Sequence, residues 1–448
     1  MNTDNSQMQA EFKERMDYDD LMNCMRCGFC LPTCPTYIES GNDETQSPRG
    51  RIALMKGVVY GEIELDSEVK RSLDMCLGCR ACEPVCPSGV KYGQLLEQAR
   101  DIIYQNQQPS FPVTALRKFV FHHLFPHQDR IIGLMSLLRL YQKTGMQKLA
   151  RKTGLLNLLL PEHLHKMEKI LPEIPSRTMM RHRPHHIHPS NKKRRKVAFF
   201  SGCLMNTMFL PINEATLKLL AYADCEIVIP KRQNCCGALH GHGGEKEIAK
   251  SIAKQNIRAF ENEEVDHIIT NAGGCGAFLT DYTELLKDEA DWKNRASRFS
   301  DKITDISRLL VDLELDKELL TIEPRIVTYQ DSCHLRNGQH TIREPRKLLR
   351  SIEGAVFHEM KDAERCCGSA GIYNITEPEM SMQILDYKME QTKATGATVI
   401  VTTNPGCLLQ MKLGIEKMGL TEQVSAVHLV ELLLEAYENG LKKCPKRK

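Results

Sequence analysis

The chain has no run of 18 consecutive apolar residues, so nothing in it reads as a membrane-spanning helix. It has no surplus of either charge: 60 Lys and Arg stand against 57 Asp and Glu, for a net +3. That balance argues against nucleic acid as a partner, because general nucleic-acid binding needs a strongly basic face. The opening stretch, MNTDNSQMQAEFKERMDYDD, is acidic and polar and lacks an apolar h-region. No secretory signal is therefore expected, and a cytoplasmic location is. A G-x-G-x-x-G behind a strand is also missing, so no flavin or nicotinamide fold is expected in this chain. What is present is a length of 448 residues, room for two to four domains at about 100–200 residues each. Apolar residues make up 42%, enough to build real cores. There are 18 cysteines, and without a signal peptide they read as reduced thiols reserved for metal.

Eight of those cysteines fall in two copies of one pattern. The first is Cys24-x-x-Cys27-x-x-Cys30-x-x-x-Cys34-Pro35, and the second is Cys76-x-x-Cys79-x-x-Cys82-x-x-x-Cys86-Pro87. Three thiolates at this spacing wrap one [4Fe–4S] cube from a tight loop, and the fourth, carried on by the proline, reaches the neighbouring cube. The expected ligand sets are Cys24, Cys27, Cys30 and Cys86 for one cluster, and Cys76, Cys79, Cys82 and Cys34 for the other. A structural zinc site uses four thiolates rather than four plus four. A disulfide framework belongs to an oxidising compartment. Gly28 and Gly78 lie inside the loops, where bare backbone can approach inorganic sulfide and donate N–H bonds.

The organisation follows from composition and periodicity. Residues 1–20 read as a lead-in and 21–106 as a helical, ferredoxin-like two-cluster domain. Between the cysteine motifs, Pro48 to Met55 reads as a turn feeding a helix. Arg49 and Arg51 there face cluster or partner charge on one reading, and form a solvated helix start on the other. Residues 107–196 form a helical connector and a basic linker. The stretches FPVTALRKFVFHHLF and IIGLMSLLRLYQ read first as packing between domains, with peripheral contact to a membrane or partner as the second reading. The run Lys192 to Lys196 reads as a charged linker ahead of a strand, and His182, His185, His186 and His188 as incidental loop residues.

From residue 197 the chain repeats itself. Cys203, Cys235-Cys236-Gly237 and Cys275 are followed by Cys333, Cys366-Cys367-Gly368 and Cys407, at an offset of 130 to 132 residues throughout. Each copy reads strand, helix, strand, Cys pair, helix, strand, Cys: KVAFF, CEIVIP and HIIT in the first, RIVTY, AVFHEM and TVIVTT in the second. Such alternation predicts parallel α/β sheets, with ligands gathered at the carboxyl ends of the strands. The expected architecture is thus mixed α+β and α/β: the ferredoxin-like domain, then two duplicated cysteine-rich domains with parallel sheets at 197–322 and 323–440, and a basic tail at 441–448. Adjacent cysteines are held too close for a relaxed disulfide. Four thiolates per repeat suit either a further iron–sulfur cluster or zinc, and both readings stay open. His240, His242, His334 and Asn404 are secondary candidates. Cys225 reads as a core cysteine and Cys444 as a tail residue.

The segments CMRCGFCLPTCPTY, PRGRI, CLGCRACEPVCPSGVKY, CCGALH, GGCGAF and CCGSAGIY, in this order, resemble the iron–sulfur subunits of bacterial glycolate oxidase over residues 20 to 440. The same arrangement is similar to iron–sulfur subunits of lactate-oxidising and anaerobic glycerol-3-phosphate dehydrogenase systems, and to heterodisulfide-reductase-like proteins. The resemblance implies one or two flavoprotein subunits as partners. It also implies electron transfer away from glycolate, leaving glyoxylate, to a quinone or other acceptor, with flavin on the partners only. One departure counts: Ala272 and Asn404 stand where the fullest repeats of this group carry another cysteine. That weakens the expectation of a non-cubane cluster and of disulfide reduction by this chain.

Overall fold

Local chemistry starts and stops the N-terminal helices. Ser47 caps the helix Pro48–Tyr60 by accepting the Gly50 amide at 2.9 Å, and Pro48 takes the first position, where a missing N–H costs nothing. Asp66 caps Ser67–Asp74 by accepting from the Glu68 and Val69 amides. The computed structural model describes residues 5–106, 110–154, 156, 161–189 and 194–444. Lys192 and Lys193 of the basic run and the last four residues of the tail lie outside these.

Helices Asn5–Arg15, Pro48–Tyr60, Ser67–Asp74 and Tyr92–Asn106 close on one small core. Met8, Phe12, Leu21, Met55, Leu73, Leu95 and Ile102 are all buried in it. Each such side chain contributes about 1.5–3 kcal/mol by leaving water. The two cysteine loops are the connections that this helical frame holds in place.

The linker is helical, as its periodicity predicts, over Phe111–Lys118, Gln128–Lys143, Met146–Lys152 and Glu162–Lys169, with a π-helical turn at Phe119–Leu124. It has two apolar faces. Phe121, Ile131, Ile132 and Met135 are buried against the rest of the protein. Val113, Leu116, Phe119, Leu134, Leu137, Leu140, Met146 and Leu149 are exposed.

Each repeat forms a sheet. The strands are β1 (His186–Ile187), β2 (Arg195–Phe199), β3 (Cys225–Val228), β4 (His267–Thr270) and β5 (Ile303–Asp305), followed by β6 (Thr321–Tyr329), β7 (Glu353–Phe357), β8 (Val399–Thr402) and β9 (Ser425–His428). Their orders are β1-β3-β2-β4-β5 and β7-β6-β8-β9, every pairing parallel except β1 against β3. Stripped of β1, the two orders are identical, so the duplication read from cysteine spacing is a duplication of fold. The sequence reading found three strands per repeat. It missed the fourth, β5 and β9, and read β1 as linker, because these strands are two to four residues long and carry no extended apolar run.

The repeats meet through the ends of their sheets that carry the cysteines. The Gly273 amide donates to the Thr403 carbonyl at 3.1 Å, and the Gly274 amide to the Asn404 side chain at 3.1 Å. His428 Nε2 lies 2.9 Å from the Asn271 carbonyl. The N-terminal unit sits across this junction. Asn337 Nδ2 donates to the Cys79 carbonyl at 2.9 Å, the Tyr373 hydroxyl to the Met75 carbonyl at 3.0 Å, and Arg80 pairs with Asp281 at 2.8 Å.

Candidate metal centres

The two N-terminal loops have the same backbone turn built from different residues. In the first, Arg26 and Gly28 flank Cys27 at φ +59° and +89°; in the second, Gly78 and Arg80 flank Cys79 at φ +61° and +59°. Each loop therefore needs two left-handed residues around its middle cysteine and fills one with glycine. The other is an arginine, at a cost of about 1–2 kcal/mol for a side chain in that conformation. Arg80 is held there by Glu83 at 2.9 Å and Asp281 at 2.8 Å. The Gly78 amide donates to Cys76 Sγ at 3.4 Å.

Cys24, Cys27 and Cys30 line a hollow together with Cys82, Cys86 and Pro87 of the second motif. In the second loop, the thiols facing Cys79 and Cys82 include Cys76 and, from the first motif, Cys34. Cys34 also faces Cys30 of its own motif, so thiols of both motifs meet around both loops. The first loop is near the surface, with Met25, Cys27 and Phe29 exposed. The second is covered, and burial pushes the Cys79 and Cys82 thiols well up. Burial acts on Cys76 in the same direction, but the Arg51 and Arg100 guanidiniums overrule it and bring that thiol below its ordinary value.

Arg51 is one of the two arginines that sequence reasoning left undecided. It is fully buried, with Nε donating to the Ser72 carbonyl at 2.7 Å and its terminal nitrogens to Thr36 Oγ1 and Gln46 Oε1. Burial opposes its charge, but Cys76, Tyr92 and Cys34 around it favour it and raise its pKa overall. Arg49, by contrast, pairs with Glu44 at 2.7 Å and donates to the Arg26 carbonyl at 3.1 Å, bracing the first loop from outside. The donor chemistry of both nests, four thiols each with amide and guanidinium support, fits iron–sulfur cubes.

In the repeats the thiols converge. The Cys203 thiol adjoins that of Cys235, Cys235 adjoins Cys236, and Cys236 adjoins Cys275. The second set follows the same chain: Cys333, Cys366, Cys367, Cys407. Gly237 and Gly368 stand at φ +88° and +89°, as the tight turn after each pair requires. The four are strung in a row. Among the described residues no three His, Cys, Asp or Glu side chains are gathered closely enough to hold a single ion.

The other sequence candidates have identifiable work. His240 Nε2 lies 2.8 Å from the Phe121 carbonyl and ties the first repeat to the linker. His242 Nδ1 pairs with Glu97 at 2.7 Å. His334 lies beside Cys333 at 3.4 Å, and burial pushes its pKa down to about 3, so it is neutral. Asn404 bridges the repeats, with Nδ2 3.7 Å from Cys407 Sγ and Oδ1 on the Gly274 amide. Cys225 is buried in β3 and Cys444 is exposed. His186 faces Glu226 at 3.3 Å and stacks on His188. Sequence reasoning missed Lys388, fully buried behind the second Cys pair. The signal that could have found it is a lysine among apolar residues on a buried helix face, at the position where the first repeat has Asn256.

Three family models match the chain. They are a 4Fe-4S dicluster domain over residues 20–90, a linker region described for the glycolate oxidase iron-sulfur subunit over 112–171, and a cysteine-rich domain over 197–280 and again over 327–412. A probable glycolate oxidase iron-sulfur subunit of Bacillus subtilis (strain 168) is 63% identical over 431 residues, covering 96% of this chain and 97% of the relative. The glycolate oxidase iron-sulfur subunit of Escherichia coli (strain K12) is 29% identical over 442 residues, covering 96% and 100%. A lactate utilization protein A of Exiguobacterium sp. is 30% identical over 244 residues, covering 54% of this chain and 99% of its own.

Proposed function

The chain belongs to the glycolate oxidase iron-sulfur subunit family, and from that premise we propose that it relays electrons from a flavoprotein partner that oxidises glycolate to glyoxylate. A flavin on the partner would supply the two-electron, two-proton oxidation of the α-carbon, and this subunit accepts the electrons singly and passes them to a quinone or another acceptor. Cys24, Cys27, Cys30 and Cys86 hold one [4Fe–4S] cube, and Cys76, Cys79, Cys82 and Cys34 the other. The repeat thiols hold further metal as a cluster, in which each iron needs one thiolate; zinc, which gathers its ligands on one ion, does not fit the row. The observation that supports this reading is the meeting of thiols from both motifs around each of the two loops.

The exposed rim of the first loop, Met25, Cys27 and Phe29, is the entry side where the flavoprotein docks. The covered second loop is the exit toward the repeats. No described helix is long and apolar enough to cross a membrane. The exposed apolar face of the linker, set among basic residues, makes peripheral contact with the cytoplasmic side of a membrane. The test is to purify the chain alone, anaerobically. It should be brown, carry iron and acid-labile sulfide, accept electrons from dithionite, and leave glycolate untouched until the flavoprotein is added. Full-rate glycolate oxidation by the chain alone overturns this division of labour.

A further inference from the structure

The two repeats share a fold and a thiol row but not an environment. Cys333 and Cys366 lie in one small buried cluster with Met75, Leu77 and Tyr373, against which Cys79 packs. The thiol of Cys79 faces Cys333, and that of Cys366 faces Cys79. The backbone of the same loop is fastened to the second repeat by Asn337 on the Cys79 carbonyl at 2.9 Å and Tyr373 on the Met75 carbonyl at 3.0 Å. The first repeat also touches the N-terminal unit, through the Arg80–Asp281 ion pair, the His242–Glu97 hydrogen bond and the Lys246 amide on Asp101, but none of these contacts involves one of its cysteines. Its Cys203, Cys235 and Cys236 belong to the large sheet core, as do Cys367 and Cys407, and the thiols that face them are those of their own row.

The second difference is charge. Twenty-one residues after Cys367, on the helix Pro378–Ala394, Lys388 is fully buried. Its ammonium reaches back to the loop before the Cys pair, donating to the Asp362 carbonyl at 2.5 Å, and the thiols of Cys367 and Cys366 face it. Twenty residues after Cys236, on the corresponding helix Lys246–Phe260, stands Asn256. It also reaches back, with Nδ2 2.8 Å from the Cys235 carbonyl and 3.0 Å from the Tyr282 hydroxyl, which itself donates to the Cys236 carbonyl at 2.7 Å. The architecture is the same, with a cation in one copy and a neutral amide in the other. The Glu364 and Asp331 carboxylates also act on Lys388, behind the two thiols, and burial still outweighs them all and brings its pKa down to about 8, so its charge is under-compensated and expensive. A site that gains negative charge beside it supplies the compensation.

We propose that the second repeat alone extends the electron path. Cys333, Cys366, Cys367 and Cys407 hold a third iron–sulfur centre in contact with the cluster of the Cys76 loop, and Lys388 is its counter-charge. The four thiols of the first repeat stand off the path. The inference rests on the reading that the N-terminal loops carry two cubes. Each step moves one electron and makes or breaks no bond: the Cys76-loop cluster is oxidised as the repeat centre is reduced. The electrons enter from the flavoprotein, or from dithionite in vitro.

Lys388 is a positioning residue for charge, so its test is a potential. The full chain, prepared anaerobically, is titrated at pH 7 with spin-resonance detection beside iron and sulfide analysis. The wild type should hold more than the roughly eight irons of two cubes and show a third reducible centre, magnetically coupled to a neighbour. Lys388→Met should move that centre to lower potential, because removing a buried positive charge disfavours the reduced form. Lys388→Arg should restore it, and Asn256→Asp should leave it in place. Lys388→Gln serves as a second neutral variant if Lys388→Met loses iron. A third centre whose potential ignores Lys388, or follows Asn256→Asp, overturns the inference while the two cubes stand. About eight irons and two signals removes the third centre itself, and colourless protein removes the underlying reading as well.

Discussion

At the scale of the residue, charge buried among thiols is the dominant feature, and Arg51 is its clearest case. Nothing in the stretch Pro48 to Met55 distinguishes Arg49 from Arg51 by sequence, since both sit at a helix start. The helix separates them: Arg49 turns outward to Glu44, and Arg51 turns inward between Thr36, Gln46 and the Ser72 carbonyl. Replacing it with methionine fits the volume but strips the charge from beside Cys76 and Cys34. The expected cost is about 3–5 kcal/mol, the usual penalty for removing one partner of a buried charged set. Arg51→Met should also lower the potential of the Cys76-loop cluster, whereas Arg49→Met should leave it nearly unmoved. Thermal melts and a redox titration of the two variants side by side check both statements. The cysteines themselves were legible because a ligand set is written as spacing. Lys388 and Arg51 were not, because a counter-charge is defined by what surrounds it in space.

At the scale of the element, the repeat rhythm was legible wherever a strand had an uninterrupted apolar run, as in Val399–Thr402. It failed at β5 and β9, short edge strands whose place is fixed by the sheet they join. The end of β9 carries a pH dependence. His428 caps the helix Leu429–Lys443 in a capping box with Glu431, and its Nε2 holds the Asn271 carbonyl of the other repeat. Burial pushes its pKa down to about 4, below the ordinary 6.5. The native state therefore refuses a proton that the unfolded chain accepts. The stability it contributes is present above pH 6.5 and lost as pH falls through about 4, by up to ~3 kcal/mol. Asp305, buried with its pKa raised to about 6, runs the other way, its contribution present in acid and lost as pH rises through about 6. The difference between wild type and His428→Asn isolates the histidine. Asparagine keeps a cap but cannot be protonated, so the wild type's advantage at pH 7.5 should shrink steadily toward pH 4.5 in denaturant titrations. A constant gap across that range would mean that His428 takes up its proton without disturbing the fold.

At the scale of the whole molecule, the order of parts sets a direction: an exposed first loop, a covered second loop, then the second repeat. That apposition joins Cys79 to residues some 250 positions away, and no local pattern in a sequence records such a contact. The linker is the other large-scale feature. Its sequence promised packing, and Ile131, Ile132 and Met135 deliver it, but the same helix exposes Leu134, Leu137 and Leu140 on its other side. Over residues 111–154, eight Lys or Arg accompany one Asp, against near balance in the chain as a whole. Some are engaged within the protein, Arg117 with Glu245 and Arg151 with Glu168, while Lys118, Arg130, Lys148 and Lys152 are exposed. Apolar area set among cations is the composition that favours an anionic lipid surface, at about 1 kcal/mol for each basic residue brought near it. The full chain should sediment with phosphatidylglycerol vesicles, bind phosphatidylcholine vesicles far less, and be released by high salt. Leu137→Glu with Leu140→Glu should weaken vesicle binding about tenfold or more, since each substitution places a carboxylate where apolar area met the bilayer, while iron content and melting temperature stay unchanged. If the double variant binds vesicles as before but no longer holds the flavoprotein, the face belongs to the partner subunit, and the membrane contact must be sought elsewhere on the complex.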